Sequence, residues 1–419
     1  MSSRPVCLIV ASTGLDAAAY RAYGFASVAD AYDVVLIAPA EPTWERPYLT
    51  DFEVADPTDQ TALIAAGRAL AARHQVMGVM TWTEWHLVPA ARLARELGLP
   101  SNLPAVMHAC RNKARSRSTF TRHGVPSAAS ISVSTPADAA AAAEHIGYPV
   151  VLKPAAQAGS SGVIRVNQPT DLAQAYEVAA QAARHGIEST QVLVEEYLDG
   201  PEVSAECATF RGTTTAVAVT RKTLGPPPFF EETAHLVDAA DPLLATVAPV
   251  AVAALRALGI TTGISHVEMR LTDSGPRLIE VNARIGGDLI GHLVQLATGV
   301  DLPRAAADIA CGRAPDLTPT RSRVAGIRFV YPPRAARVQA ITVDPEALAH
   351  PWCERIVVEQ APGAQVAPPP AGGVDDRLAH LIVTAATPAQ YVRRAEQALH
   401  GVRADLEVLD AAIMSGGAQ

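Results

Sequence analysis

Lysine is the residue that this chain comes closest to lacking. The 419 residues include 34 lysines and arginines together, and only Lys113, Lys153 and Lys222 are lysines. A compositional bias toward arginine explains the scarcity, but it also raises the question of which tasks arginine performs less well. Phosphate binding is one task that suits a compact ammonium group on a flexible stem.

Basic blocks, long apolar runs and clustered cysteines are also missing from the sequence, and each absence excludes a class of protein. No block of five or six basic residues occurs, and a net charge of -8 with a pI near 5.8 argues against nucleic-acid and anionic-membrane partners. The apolar run Val6–Ala11 is too short for a signal-peptide core or a membrane span, so we predict a buried strand. The few cysteines are too dispersed for a metal pair or a disulfide framework, which favours reduced thiols in a cytoplasm. They are Cys7, Cys110, Cys207, Cys311 and Cys353.

The chain is nevertheless rich in apolar residues, at 49%, and its length predicts two to four structural units. Short apolar runs alternate with helical patterns over the first hundred residues, which is typical of a parallel α/β domain. The segment Gly98–Pro104 carries two prolines and a glycine that punctuate its end. We therefore predict a first domain over residues 1–105, a second over 106–320 with a lid lobe at about 125–200, and a C-terminal α/β subdomain over 321–419 that completes the catalytic lobe.

A glycine-rich stretch follows the predicted strand that ends near Lys153. Its residues are Gly159, Ser160, Ser161 and Gly162. Backbone amides of such a loop can approach phosphate oxygens without interference from Cβ atoms, while the nearby lysine neutralises charge. A plain hairpin turn is the alternative interpretation, because glycine and serine are frequent in turns.

The segment Val194–Glu202 predicts a strand that ends in an acidic turn. Its backbone could face an adenine edge, and the carboxylate of Glu202 could accept hydrogen bonds from ribose hydroxyls. A solvated acidic turn is the alternative.

Two later strands carry the clearest pattern, with Glu268 on the first and Glu280 and Asn282 on the second. Strand side chains alternate, so Glu280, Asn282 and Arg284 share one face while the residues between them point into the core. Carboxylate and amide oxygens suit Mg²⁺ that bridges ATP phosphates, and Arg284 would stabilise charge on a transferred phosphoryl group. A surface salt-bridge ladder is the alternative, but apolar strands make it costly.

The loop, the acidic turn and the two strands, in this order along the chain, resemble the ATP-grasp superfamily, and the resemblance covers residues 5 to 320. The resemblance implies a pre-ATP-grasp parallel α/β domain, two α+β lobes that clamp ATP, and magnesium, with two ions and Mn²⁺ as a substitute. The implied ATP-binding residues are Lys113, Lys153, Gly159, Ser160, Ser161, Gly162, Glu195, Glu196, Tyr197, Leu198 and Glu202. The implied magnesium ligands are Glu268, Glu280 and Asn282, and the implied contact to the acyl phosphate is Arg284.

Within that superfamily, the proline-rich segment Lys222–His235 resembles the substrate loop of bacterial L-amino-acid ligases that make dipeptides, of the bacilysin-pathway type. The resemblance implies that Glu232 and His235 face the amino-acid site and that Arg284 holds the activated carboxyl. Either His235 or Glu232 could then deprotonate the amine. Gly287 and Asp288 would line the substrate pocket. Asp288 stands where some dipeptide ligases have a bulky side chain, so it could widen the pocket or favour a cationic substrate.

We therefore expect an ADP-forming ligase of secondary metabolism that joins an acid to an amine, most simply two amino acids, through an acyl phosphate. The expected partners are small molecules, with neither nucleic acid nor membrane, and the resemblance is compatible with a homodimer. One alternative is a carboxylase or purine-pathway ligase on the same fold. Another, of a different class, is a nucleotide-binding sensor without turnover.

Overall fold

The computed structural model describes residues 4–12, 18–368 and 371–409, so the last ten residues of the predicted C-terminal subdomain lie outside the described part of the chain. Over these ranges the chain forms four β-sheets with helices packed on them, which confirms the predicted mixed α/β and α+β class. None of the helices in these ranges is long and apolar enough to cross a lipid bilayer.

The N-terminal part is a parallel sheet packed against helices. Its elements are β1 (Val6–Val10), α1 (Ala18–Ala29), β2 (Asp33–Ala38), β3 (Leu49–Val54), α2 (Gln60–Arg73), β4 (Val76–Met80), α3 (Leu87–Glu96) and α4 (Pro104–Arg111). The strand order is β3-β2-β1-β4. Strand β1 is buried along its whole length, as is typical of a parallel sheet covered on both faces. Helix α2 begins cleanly because the side chain of Asp59 accepts hydrogen bonds from two backbone amides of its first turn.

The next part forms a small antiparallel sheet, which we call the lid lobe. Its elements are β5 (Ser130–Val133), α6 (Pro136–Ile146), β6 (Val150–Pro154), β7 (Ile164–Val166), α7 (Leu172–Ala183) and β8 (Val192–Glu196). Helix α5 (Lys113–His123) leads into the lobe, and its Phe120 packs in a core cluster with residues of later strands. The strand order is β5-β8-β6-β7. Alanine-rich α6 and α7 pack on the sheet, where their small side chains surround Leu152 and Val194. Helix α5 ends at Gly124, whose φ of +63° is readily adopted by glycine.

The remaining elements build one large sheet and one small one. They are β9 (Glu202–Phe210), β10 (Thr213–Leu224), β11 (Glu232–Asp238), α8 (Leu244–Leu258), β12 (Gly263–Thr272), β13 (Gly275–Asn282), α9 (Ile290–Thr298), α10 (Leu302–Ala310), β14 (Val324–Val330), β15 (Ala336–Val343), α11 (Pro345–Leu348), β16 (Cys353–Val358), β17 (Gln365–Val366), β18 (Ala379–Ala385), α12 (Pro388–His400) and β19 (Val402–Val408). The large sheet is antiparallel with the order β13-β12-β9-β10-β11-β14-β18-β16, and the small one has the order β17-β15-β19.

The segment Lys222–His235 is a hairpin rather than one continuous loop. Its first residues end β10, its last residues begin β11, and only residues 225–231 form the connecting tip. Strand β11 pairs with β10 on one side and β14 on the other, so its backbone amides are satisfied within the sheet. The hairpin therefore presents its side chains from a fixed backbone.

Candidate active site

A cleft of about 510 Å³ is lined by residues of the lid lobe, the large sheet and the C-terminal segment. This volume is within the usual range for small-molecule sites. The cleft brings together nearly all of the predicted site residues: Lys113, Lys153, Gly159, Ser160, Ser161, Glu195, Glu196, Tyr197, Leu198, Glu202, Glu232, Glu268, Glu280, Asn282, Arg284, Gly287 and Asp288. Of the described residues that were predicted for the site, Gly162 and His235 are not in its lining.

Two of the three lysines reach the cleft from the edge of the lid lobe. The Nζ atom of Lys113, at the start of α5, donates to the carbonyl of Gln157 at 2.6 Å and lies 2.9 Å from Glu280 Oε1. The Nζ atom of Lys153, on β6, lies 2.6 Å from Glu195 Oε2. Both side chains are nearly buried, so their charges act in a medium that screens them weakly. The two ammonium groups are suited to anionic oxygens in the cleft.

The predicted phosphate loop lies between β6 and β7. Gly159, Ser160 and Gly162 all have positive φ, at +64°, +57° and +71°, a region that glycine enters without steric cost. The Oγ atom of Ser160 donates to the carbonyl of Phe230 at 3.3 Å. This contact joins the loop to the tip of the β10–β11 hairpin.

Glu195, on β8, is the most enclosed of the predicted adenine-side residues. Its carboxylate is bound by Arg117 as well as by Lys153, with Arg117 Nε 2.9 Å from Glu195 Oε1. Burial alone would raise the pKa of this carboxyl, but the two cations outweigh burial and lower the pKa to about 2. The charged side chain therefore stabilises the lid lobe, and its neighbours along the chain are left to face a ligand.

The next residues form the turn at the rim of the cleft. Glu196 accepts hydrogen bonds from both terminal nitrogens of Arg277, at 2.6 and 2.7 Å, and its carboxylate also accepts from the backbone amide of Ala129. The guanidinium of Arg165 lies 4.0 Å from the centre of the Tyr197 ring. These contacts fix the turn against both the lid lobe and the large sheet.

The predicted metal ligands lie opposite one another on β12 and β13. Glu268 pairs with Glu280, and His266 pairs with Asn282, in an antiparallel register. All three predicted ligands are oxygen donors that line the cleft, and Mg²⁺ prefers such donors. The chemistry of these residues therefore fits a magnesium ion.

Lys222, on β10, is a site residue to which the sequence analysis assigned no role. Its Nζ atom lies 2.6 Å from Glu232 Oε1, 2.8 Å from Glu268 Oε1 and 3.7 Å from Glu202 Oε1. Burial disfavours the charged amine, yet the three carboxylates outweigh burial and raise the pKa of Lys222 well above its ordinary value. In the sequence, the scarcity of lysine was the one feature that could have drawn attention to Lys222.

Glu202 and His266 connect the carboxylates around Lys222 to further charged residues. The Nε atom of Arg270 donates to Glu202 Oε2 at 3.1 Å. His266 lies between two carboxylates, with Nδ1 2.9 Å from Glu206 Oε1 and Nε2 3.0 Å from Glu268 Oε1. Burial would lower the pKa of His266, but the carboxylates raise it to about 9. The imidazole is thus protonated at neutral pH and orients Glu268.

The predicted substrate pair, Glu232 and His235, contacts Asp288. His235 Nε2 lies 3.1 Å from Asp288 Oδ2 and 3.3 Å from Glu232 Oε2, and the ring is fully buried. The ligand atoms of these three residues all lie within 4.8 Å of one another, which is compatible with a metal ion. However, Arg377 already donates to both oxygens of Asp288, at 2.7 and 2.8 Å. Its guanidinium also lies 3.5 Å from the centre of the Phe329 ring.

This pairing changes the expectation for Asp288. From the sequence, Asp288 was expected to widen the pocket or to favour a cationic substrate, whereas in the structure Arg377 and His235 both bind its carboxylate. Burial would raise the pKa of Asp288, but Arg377 and His235 hold it well below its usual range. Arg377 comes from a distant part of the chain, so no local pattern indicated it.

Arg284 follows β13 and connects the cleft to the N-terminal part. Its Nε donates to Glu84, which lies after β4, and one terminal nitrogen donates to the carbonyl of Ile285 at 2.9 Å. Glu84 also accepts from Arg111 at 3.0 Å. Burial would raise the pKa of Glu84, but Arg284 and Arg111 lower it. Glu84 was not identified from the sequence.

Lysines beside a glycine and serine loop, across a cleft from oxygen ligands and an arginine, are typical of the class of enzyme that binds nucleotide phosphates. Family models agree with this class. Residues 146–292 match an ATP-grasp domain, residues 18–101 an ATP-grasp N-terminal domain, and residues 328–407 the L-amino acid ligase C-terminal domain 2.

Individual relatives point the same way. An uncharacterized protein of Sinorhizobium fredii is 30% identical over 332 residues, covering 79% of this chain and 68% of that protein. Human carnosine synthase 1 is 30% identical over 267 residues, which is 59% of this chain and 32% of that enzyme. This chain thus spans about a third of the length of carnosine synthase.

The crystal structure of an L-amino acid ligase from Bacillus licheniformis superposes with a TM-score of 0.81 at 21% identity, covering 98% of this chain and all of that one. The chain belongs to the ATP-grasp superfamily and, within it, resembles the bacterial L-amino-acid ligases, as predicted. It is accordingly an enzyme of the class that forms carbon–nitrogen bonds, and its superfamily uses ATP and divalent metal ions.

Proposed function

We propose that this enzyme joins a carboxylic acid to an amine through an acyl phosphate, with release of ADP and phosphate. The observation that carries the proposal is the content of one cleft. The cleft is lined by Lys113 and Lys153, by residues of the glycine and serine loop, by the three predicted magnesium ligands and by Arg284. Acyl phosphate formation needs groups that hold a nucleotide, neutralise its phosphates and stabilise charge on the transferred group.

In this proposal the cleft binds Mg-ATP. Lys113, Lys153 and the loop Gly159–Gly162 hold the phosphates, the turn Glu195–Leu198 borders the adenine, and Glu202 accepts hydrogen bonds from the ribose. Glu268, Glu280 and Asn282 would hold two Mg²⁺ ions, with Mn²⁺ as a substitute. When bound, the metal neutralises phosphate charge and orients the transferred group.

Arg284 has a separate part in the proposed reaction. It would contact the phosphoryl group as it moves to the acid and then stabilise the negative charge of the tetrahedral adduct. Its Nε is already held by Glu84 and one terminal nitrogen by the carbonyl of Ile285, so only the remaining guanidinium hydrogens are available to a substrate. Closure of the lid lobe would exclude water, which would otherwise hydrolyse the acyl phosphate.

Amino acids are the proposed substrates. The names of the relatives support this choice, since one makes carnosine and another is an L-amino acid ligase. Arg377 and Asp288 also line the cleft, as an ion pair in which both oxygens of Asp288 are bound. We place the amino acids beside this pair, where the carboxylate or the ammonium group of a substrate would exchange for one of its partners.

The division of the chain follows from this function. We propose residues 1–105 as the pre-ATP-grasp domain, 106–320 as the ATP-grasp domain with its lid at about 125–200, and 321–419 as the subdomain that completes the catalytic lobe. Strands β14, β18 and β16 support the last assignment, because they extend the large sheet that carries β12 and β13. We also propose a homodimer in the cytoplasm, where the five cysteines, all described and all free, stay reduced.

The test is nucleotide release from the purified protein with Mg-ATP and L-amino acids, alone and in pairs, following phosphate and pyrophosphate separately. We expect ADP and phosphate with particular pairs only. Pyrophosphate and AMP would overturn the acyl-phosphate mechanism, and ATP binding without any release would point to a sensor instead. Bicarbonate as the only productive acid would indicate a carboxylase.

A further inference from the structure

Among the described residues, one carboxylate in the substrate half of the cleft combines burial with an oxygen that has no partner. Glu232 is bound by Lys222, Asp288 by Arg377, and Glu359 by Tyr20 and His380. Glu231 also lines the cleft, yet its Oε2 atom is buried and has no hydrogen-bond partner among the residues that the structure describes. A buried carboxylate oxygen without a donor is costly, so it is typically explained by a ligand or a catalytic role.

The backbone of Glu231 is firmly placed. Its carbonyl accepts a hydrogen bond from the amide of Gly225 at 2.7 Å, which closes the tip of the β10–β11 hairpin. The preceding residue, Phe230, accepts from Ser160 of the phosphate loop. Glu231 therefore lies next to the loop proposed to hold the phosphates and also near Asp288 and Arg377, where the substrates are proposed to bind.

The surroundings of Glu231 suit a proton acceptor. Burial raises the pKa of its carboxyl to about 7, and the groups that face it partly oppose one another. Arg377 lowers the pKa, whereas the carboxylates of Glu232, Asp288 and Asp376 raise it. A general base is most effective when its pKa is near the working pH.

The two bases expected from the sequence are poorly suited by comparison. Glu232 is held by Lys222 at 2.6 Å, and burial, Lys222 and His235 together leave its pKa below the ordinary value. His235 is fully buried, and the adjacent carboxylates of Glu232 and Asp288 outweigh burial and raise its pKa. An imidazole that contacts two carboxylates and does not line the cleft is poorly placed to accept a proton from a substrate there.

We propose that Glu231 binds the ammonium group of the amine substrate and removes its proton, an assignment that rests on the proposed ligase function. In this step an N–H bond breaks, its electron pair stays on nitrogen, and the proton moves to the carboxylate of Glu231. The nitrogen lone pair then forms a bond to the acyl carbon. The bond from that carbon to the phosphate oxygen breaks, the electron pair leaves with phosphate, and the second proton lost by nitrogen leaves with the phosphate.

The test separates activation of the acid from attack by the amine. Hydroxylamine is uncharged at neutral pH, so it captures an acyl phosphate as a hydroxamate without needing a base. The variants Glu231→Gln and Glu231→Asp are compared with Asp375→Asn, which removes an exposed carboxylate from the rim of the same cleft. Each is incubated with Mg-ATP and a mixture of the standard L-amino acids and β-alanine, with and without hydroxylamine, across a range of pH.

For Glu231→Gln we expect hydroxamate formation within about twofold of the unchanged enzyme, while amide formation at pH 7 falls by roughly 10²-fold or more. The loss should diminish at high pH, where the amine is already neutral, and Glu231→Asp should recover part of the activity. Equal loss of hydroxamate and amide, or full amide formation by Glu231→Gln, would overturn the assignment. Absence of hydroxamate with the unchanged enzyme would overturn the ligase function itself, and the assignment with it.

Discussion

At the scale of single residues, each lysine of this chain faces a carboxylate of the cleft. Lys113 faces Glu280, Lys153 faces Glu195, and Lys222 faces Glu268 and two further glutamates. Charges this deeply buried are tolerated only when they are paired. A bound nucleotide with its metal would rearrange these pairs, because phosphate oxygens attract the lysines and metal ions attract the carboxylates.

Glu280 is the residue on which the magnesium assignment depends most. Changing Glu280→Gln keeps the shape but removes the charge, so we expect turnover to fall by roughly 10²-fold or more, because one preorganised group is lost from a charged transition state. ADP release measures this. The thermal unfolding midpoint and the control Glu144→Gln, an exposed carboxylate on α6, distinguish a site effect from a folding effect. Unchanged turnover would contradict the metal assignment.

The lowered pKa of Glu195 predicts how the stability of the lid lobe changes at acidic pH. Its pKa of about 2 in the folded chain lies below the unfolded value, so its stabilisation is present above that unfolded value and is lost as pH falls toward 2. The shift corresponds to roughly 3 kcal/mol for this fully buried group.

The measurement is the free energy of unfolding between pH 6 and pH 3. We expect Glu195→Gln to be less stable at pH 6 and to show a shallower loss on acidification than the unchanged chain. Glu177→Gln, which removes an exposed carboxylate from α7, is the control and should keep the original slope. An equally steep loss in Glu195→Gln would show that other groups govern acid unfolding.

At the scale of elements, periodicity predicted those strands and helices whose buried face is continuous. Strands β12 and β13, predicted from the pattern around Glu268 and Glu280, are both present, and each buries apolar side chains along its length. The second strand of the hairpin, β11, was missed. Prolines and glycines of its tip dominate the local pattern, and its strand character depends on pairing with β14, about ninety residues away.

The phosphate loop offers a prediction in which two glycines act as matched variants. A Cβ atom on Gly162 would lie 2.6 Å from the Cβ of Ala182 on α7, whereas a Cβ on Gly159 meets nothing within 4 Å. Both residues have positive φ, so alanine costs about 1 kcal/mol of backbone strain at either position. Gly162→Ala should cost roughly 1–3 kcal/mol more, because the packing against α7 must shift.

Urea unfolding of the two variants measures this difference. Gly162→Ala should also raise the KM for ATP, since the loop is displaced from its seat on α7, and Gly159→Ala should change KM less. Equal destabilisation of both variants would mean that α7 moves freely, and the loop would then lack the rigid support that we infer.

At the scale of the whole molecule, the site is assembled from parts that local patterns cannot bring together. The alternation along β13 was enough to predict that Glu280, Asn282 and Arg284 act as a group. Glu84, Lys222 and Arg377 were given no role, because each has a partner about 45 to 200 residues away that only the fold brings close. Each is an ordinary charged residue until the fold places it, and strand pairing across the large sheet is a non-local event.

One chain of ion pairs connects all three large parts of the molecule. Arg111, between the N-terminal part and the lid lobe, donates to Glu84 at 3.0 Å and to Glu188 at 3.1 and 3.2 Å. Its guanidinium lies 4.5 Å from the centre of the Trp85 ring. Glu84 holds Arg284 as well, and Glu188 belongs to the segment between α7 and β8 of the lid lobe. The buried guanidinium of Arg111 is therefore connected both to the lid lobe, through Glu188, and to the proposed catalytic Arg284, through Glu84.

Neutralising the two glutamates of this series of ion pairs should change different kinetic constants. Glu188→Gln weakens the link to the lid, so the KM for ATP should rise by roughly tenfold, because Arg111 loses its charged partner there and a hydrogen bond to a charged group contributes about 1.5–3 kcal/mol. Glu84→Gln leaves the lid link intact but frees Arg284, and misplacement of about 1 Å costs about 10²-fold in rate, so kcat should fall instead. Steady-state kinetics with saturating acid and amine separate the two. If both variants lower kcat equally with no change in KM, the lid does not depend on Arg111, and the network serves only to hold Arg284.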